Sequence, residues 1–229
     1  MKKTILILLA AAAGYCVLLA KPDLYYNKSM EYKNFTLRAR GPLPERPDAV
    51  LDNAIAKIAV SEFATPDTKL VIYLPGSRGE FLFFTAFLSG DYSSVHPFTG
   101  AIFIAAADFK GDLVRTAPGA AEYRILSTEI TGAAARELIR RTMKPLMYII
   151  LSDWKLRGYS ERLSGGTGAF KPADTCSGKA DDSSLQDYKY GLAVEFAMKE
   201  ENMSFPELMK KDYSFESIEA RMKKFNCGG

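Results

Sequence analysis

The chain is expected to fold as an α+β protein behind an apolar N-terminal helix. Three observations predict this. Strand-like segments are confined to the stretch that ends at Ala106. Helical periodicity takes over from Ala120. The 229 residues are 48% apolar and 25% charged, a composition that builds a packed core. A small strand-bearing half followed by an all-helical half is the α+β pattern. The net charge is +3 with acids and bases interleaved. It offers no basic stripe of the kind that nucleic acid selects.

The chain opens with Met1-Lys2-Lys3 and then runs uncharged from Thr4 to Ala20, closed by Lys21 and Pro22. At about 1.5 Å per residue that run makes roughly 25 Å of helix, close to a bilayer core. It reads as a retained anchor or a cleaved signal segment, residues 1–21, followed by one domain over 22–229. Retention is the expectation. Ala11 to Ala13 would leave too short an apolar core before a cut, and cleavage after Ala20 would put Leu18 where a small residue is preferred. Lys2 and Lys3 favour a cytoplasmic N-terminus, which places the domain on the extracytoplasmic side. There Cys176 and Cys227 could pair, although two free thiols fit the sequence as well.

Within the domain, Glu31–Arg40 alternates as one strand. Asp48 can cap a helix carrying Leu51, Ala54, Ile55, Ile58 and Ala59. Lys69–Leu74 and Ala101–Ala106 read as strands, and Glu80–Leu88 as a short apolar helix. Two long helices are expected over Ala120–Thr142 and Leu146–Ser164. Gly165–Ser184 reads as a loop. Three more helices follow, Gln186–Glu200, Ser204–Lys211 and Phe215–Phe225, with Ser204 and Ser214 as caps.

The chemistry on offer is restricted. His96 is the sole histidine. Zinc hydrolases usually take at least two imidazoles, and serine and cysteine hydrolases usually take one as base. Its Ser-Val-His-Pro-Phe-Thr-Gly setting suits a turn. Gly76-Ser-Arg-Gly79 follows a strand but lacks the lysine of a phosphate loop. Ser164-Gly-Gly-Thr-Gly168 reads as a flexible loop. Glu129 falls among Leu126, Ile130 and Ala133, and a carboxylate on an apolar stripe needs a partner.

Several segments together carry a resemblance. They are MEYKNFTLRAR, KLVIYL, HPFTGAIFI followed by Ala107-Asp108-Phe109, EITGAAARELIR, DWKLRGYSE and MSFPELMKKDYSFE. From Tyr25 to Phe225 the chain resembles bacterial membrane-anchored zincin-like metallopeptidases of the gluzincin type. In such a family a His-Glu-x-x-His helix and a glutamate on the next helix hold zinc, and the motif glutamate polarises the attacking water. Carried over residue by residue, the first histidine position is Thr128 and the second is Gly132. The motif glutamate is kept as Glu129. The third-ligand position is Arg157, flanked by the matching Trp154 and Gly158-Tyr159. The resemblance therefore implies a zincin-like fold with a relic site at Thr128, Glu129, Gly132, Arg157 and Tyr159, and neither metal nor cofactor.

The expected function is that of a pseudopeptidase, a membrane-anchored domain that binds a peptide or protein or regulates an active relative. Ala101, Ile102, Phe103 and Ile104 are the expected edge strand for an extended peptide. A Glu129–Arg157 ion pair is expected where the metal stood. The alternatives are a hydrolase using Glu129 and Glu161 as a carboxylate pair, and a structural envelope protein.

Overall fold

The computed structural model describes residues 2–86, 92–166, 170–176 and 183–227. The fold class is α+β. Helix α1 (Lys2–Ala20) is followed by hairpin strands β1 (Lys28–Tyr32) and β2 (Phe35–Ala39), α2 (Asp48–Ile58), β3 (Leu70–Leu74) and α3 (Arg78–Thr85). Then come β4 (Ser93–Val95), β5 (Ile102–Ile104), β6 (Ala106–Asp108), β7 (Leu113–Arg115) and β8 (Tyr123–Ile125). The rest is helical: α4 (Leu126–Arg141), α5 (Pro145–Ile150), α6 (Asp153–Ser164), α7 (Ser183–Glu200), α8 (Phe205–Lys210) and α9 (Phe215–Asn226). The chain divides into two compact units, residues 1–51 with 67–126, and residues 52–66 with 127–229.

The first unit holds a five-stranded sheet in the order β1-β2-β3-β5-β4 and a three-stranded sheet β6-β7-β8. β2, β3 and β5 run parallel, while β1 and β4 are antiparallel to their neighbours. Parallel neighbours need a crossover, and α2 supplies the one from β2 to β3. Leu37, Ile72 and Ile102 are fully buried on adjacent strands. Tyr26, Tyr73, Phe84 and Phe103 pack ring against ring beside them, with centroids 5.0 to 6.2 Å apart. Burial raises the pKa of the Tyr26 hydroxyl, helped by the nearby Glu80 carboxylate. In α1 the span Lys3–Ala20 is long and apolar enough to cross a membrane or to serve as a signal sequence. Its Tyr15 hydroxyl donates to the Phe83 carbonyl at 2.8 Å.

The second unit packs α4 to α9 with the end of α2. Its core gathers Ala135, Ile139, Trp154, Tyr159, Ala193, Val194, Phe205 and Ile218, all buried. α6 and α7 cross closely because each presents a glycine. A Cβ on Gly158 would stand 2.4 Å from the Tyr190 carbonyl oxygen, and one on Gly191 would meet the Glu161 side chain at 3.0 Å. Ser204 and Glu207 form a reciprocal capping box on α8, and Ser214 accepts from Ser217 N on α9. Cys176 and Cys227 are disulfide-bonded, while Cys16 is free.

The structure corrects several sequence expectations. The strand expected over Glu31–Arg40 is two strands, with a turn at Lys33-Asn34 where Lys33 takes φ 50. The helix expected from Ala120 begins at Leu126, because Tyr123–Ile125 pairs with β7 instead. The helix expected from Leu146 is broken at Leu151 and Ser152, whose extended backbone separates α5 from α6. Ala101, Ile102, Phe103 and Ile104 form no edge. β5 is paired on both sides, by β3 and β4, and all four residues are buried. Of the helix expected over Glu80–Leu88, residues 87 and 88 lie outside the described residues. So do 167–169 and 177–182 of the expected loop.

Candidate functional site

The residues of the expected relic site lie in the second unit, on α4 and α6. Thr128 and Glu129 are half-buried in the first turn of α4, and Gly132 is buried one turn on. A Cβ on Gly132 would touch the Ser160 Cβ at 3.6 Å, so α4 meets α6 there. Arg157 lies one turn before Ser160. Its guanidinium donates to Asp187 Oδ1 at 2.6 Å and to Asp153 Oδ2 at 3.1 Å, and it covers the Tyr190 ring at 5.2 Å. Burial works against its charge, but Asp187 and Asp153 outweigh this and hold its pKa above the ordinary value. The expected Glu129–Arg157 pair does not form, since two aspartates already hold the guanidinium. Tyr159 is a core residue. Its ring stacks on Phe205 at 4.1 Å, and its hydroxyl shares a 3.0 Å hydrogen bond with Ser61 Oγ. Glu161 lies with its aliphatic carbons toward Gly191 on α7, one position from the Ser160 that meets α4.

Sequence reasoning missed the cation of this site. Asn53, Lys57 and Ser61 recur at four-residue spacing around the end of α2, and all three reach polar atoms. Asn53 Nδ2 donates to Ser127 Oγ at 3.1 Å. Lys57 Nζ donates to the Ser164 carbonyl at 2.6 Å and stands 3.5 Å from Thr128 Oγ1. Ser61 reaches Tyr159. The i, i+4, i+8 recurrence of polar residues was the available signal. Ser164 ends α6, so the Lys57 ammonium sits at a helix C-terminus, where backbone carbonyls lack partners and the dipole favours a cation. Lys57→Met is expected to lower stability by about 1 kcal/mol. A urea melt checks this, and an unchanged midpoint would remove Lys57 from the account.

The carboxylate buried on α4 is Glu137, not Glu129. It is 2% exposed and is held by Arg141 Nε at 2.8 Å and Arg140 Nη2 at 2.9 Å, at i+4 and i+3. His96 serves its turn, with Nδ1 accepting from Thr99 N at 3.2 Å. The Gly76 amide is taken by the chain's own Glu80 Oε2 at 3.0 Å, and Ser77 Oγ accepts from Glu80 N. That self-capping fills the place an anion would need.

Zinc does not fit the matched positions. Thr128 is a poor ligand, Gly132 has no side chain, and Arg157 is a cation committed to two aspartates. Lys57 brings a second cation to within hydrogen-bond reach of Thr128. Among the described residues no group of three His, Cys, Asp or Glu side chains is placed to hold a metal.

The first unit offers a different feature, a cleft of about 930 Å³ beyond the carboxyl ends of β2, β3 and β5. Pro42, Pro44 and Pro75 stiffen its rim, Leu43 and Phe109 supply apolar wall, and Arg46, Asp48 and Lys110 supply charge. Carboxyl ends of parallel strands are a common place for ligands, because the loops there diverge and expose backbone. No protein-family model, curated protein or solved structure matches the chain.

Proposed function

We propose that the protein is a membrane-tethered, non-catalytic domain of zincin-like type, a pseudopeptidase that works by binding. The observation that carries this reading is a cation at the third-ligand position and a second cation beside the first histidine position. Arg157 is locked to Asp187 and Asp153, and Lys57 lies against Thr128. Metallopeptidase chemistry needs three protein ligands and an open fourth position. Thr128 and Gly132 offer no imidazole, and the Arg157 guanidinium fills the third-ligand place with a donor already bound to Asp187 and Asp153, so no ligand set remains for a divalent ion. Glu129 then has no metal-bound water to polarise.

A domain without the metal can still hold a peptide or a partner. The cleft in the first unit is our candidate for that contact, and it takes the place of the β5 strand. In this reading α1, which is long and apolar enough to cross a membrane, is the tether, and the domain lies outside the cytoplasm, a setting in which the Cys176–Cys227 bond would be stable.

The test is the metal content of the purified full chain, followed by peptidase assay with and without added zinc. No stoichiometric zinc and no chelator-sensitive cleavage are expected. One equivalent of zinc, removed by chelator together with activity, would overturn both the pseudopeptidase reading and the residue map. Arg157→Glu is expected to leave zinc absent, because the two histidine positions remain empty.

A further inference from the structure

Helix α5 inverts the usual arrangement of a surface helix. Its sequence, Pro-Leu-Met-Tyr-Ile-Ile, contains no charged residue. Tyr148 alone turns inward, 8% exposed, and joins the core of the second unit. Leu146, Met147, Ile149 and Ile150 point outward and are 69%, 54%, 52% and 72% exposed. Four large apolar side chains on six residues form a contiguous patch, which soluble surfaces avoid unless something covers it. Cations precede the patch. Arg141 is exposed next to Glu137, and Lys144 is exposed at the N-cap.

We propose that α5 is a second membrane contact, dipping its apolar side chains into the headgroup boundary of an anionic bilayer. The inference rests on the reading of α1 as a retained anchor. Apolar residues beside lysine and arginine are the composition that interfacial segments use: the apolar face enters the acyl boundary and the cations meet lipid phosphates. A retained α1 keeps the domain at such a surface throughout its life, so even a weak contact is populated through high effective concentration. The contact gives the second unit its own point of attachment to the bilayer, in addition to α1.

The experiment uses the full chain reconstituted into vesicles of phosphatidylcholine and phosphatidylglycerol, with and without bromine on the acyl chains. Leu146→Trp and Ile150→Trp are compared with the wild type, whose buried Trp154 sets the background. For an apolar face about 5 to 10 Å deep, bromine should quench the added emission roughly twofold in both variants. Lys144→Glu in the same background should weaken that quenching in anionic vesicles. Two variants at strongly exposed positions guard against one failing to fold. Protein that does not float with the vesicles refutes the anchor and this proposal together. Protein that floats, with added tryptophans unquenched and emitting as in water, overturns this proposal and leaves the anchor standing. Emission shifted to the blue but indifferent to bromine assigns the face to a protein contact and equally overturns it.

Discussion

Gly158→Ala is expected to destabilise the second unit by about 3 kcal/mol, despite replacing a helix-interior glycine with the best helix former. The added Cβ would stand 2.4 Å from the Tyr190 carbonyl oxygen and 2.6 Å from a Val194 methyl. The first neighbour is backbone and cannot rotate away, so α6 and α7 must separate. The intrinsic gain of roughly 1 kcal/mol from removing glycine is too small to offset that. Gly191→Ala, on the facing helix, is the control. There the new Cβ meets the Glu161 Cγ at 3.0 Å, a flexible side chain that can shift, and the helical gain opposes a small clash. Urea denaturation should separate the two variants by at least about 2 kcal/mol. Equal midpoints would mean that the close crossing of α6 and α7 is absent in solution. The result also bears on function. Gly158 belongs to a segment on which the proposed zincin-like reading rests, yet packing alone explains why a glycine stands there.

Where the chain's own local chemistry decides an element, the sequence was enough. Ser204 and Ser214 mark the starts of α8 and α9 because a hydroxyl can satisfy the first free amides, and both capped structures are present. α7 follows from its length and its run of helix formers, which tolerate the single interior Gly191. Misreadings fall where a distant partner decides. Tyr123–Ile125 continues a helix-compatible stretch, and only pairing with β7 makes it a strand. β4 is three residues long, too short for periodicity to register. That β5 is interior follows from β4 crossing to its far side, which no pattern within β5 records. The site behaves in the same way. Asp153, four residues before Arg157, was a partner legible by helical spacing. Asp187, 30 residues later on another helix, was not. Lys57 escaped notice because its partners, Thr128 and Ser164, lie 71 and 107 residues away.

Removing the Cys176–Cys227 bond is expected to cost about 4 kcal/mol of stability on the chain-entropy account. The bonded residues are 51 apart in sequence, so the link closes a long loop and excludes many unfolded conformations. In the folded chain it fastens the end of α9 to the short 3-10 turn Pro172–Cys176, two segments that both pack on α7. Cys176→Ser and Cys227→Ser should therefore lower the denaturation midpoint by the same amount. The double variant should be no worse than either single one, since the bond is lost once. The same pair reports on the compartment. Disulfide-reducing systems keep such bonds open in the cytoplasm, whereas an oxidising space closes them. Protein extracted from membranes under alkylation should accordingly block one thiol, Cys16, and block three only after reduction. Three thiols blocked without reduction would place the domain on the reducing side of the membrane. α9 would then be held by its packed face alone, through buried Ile218 and Met222.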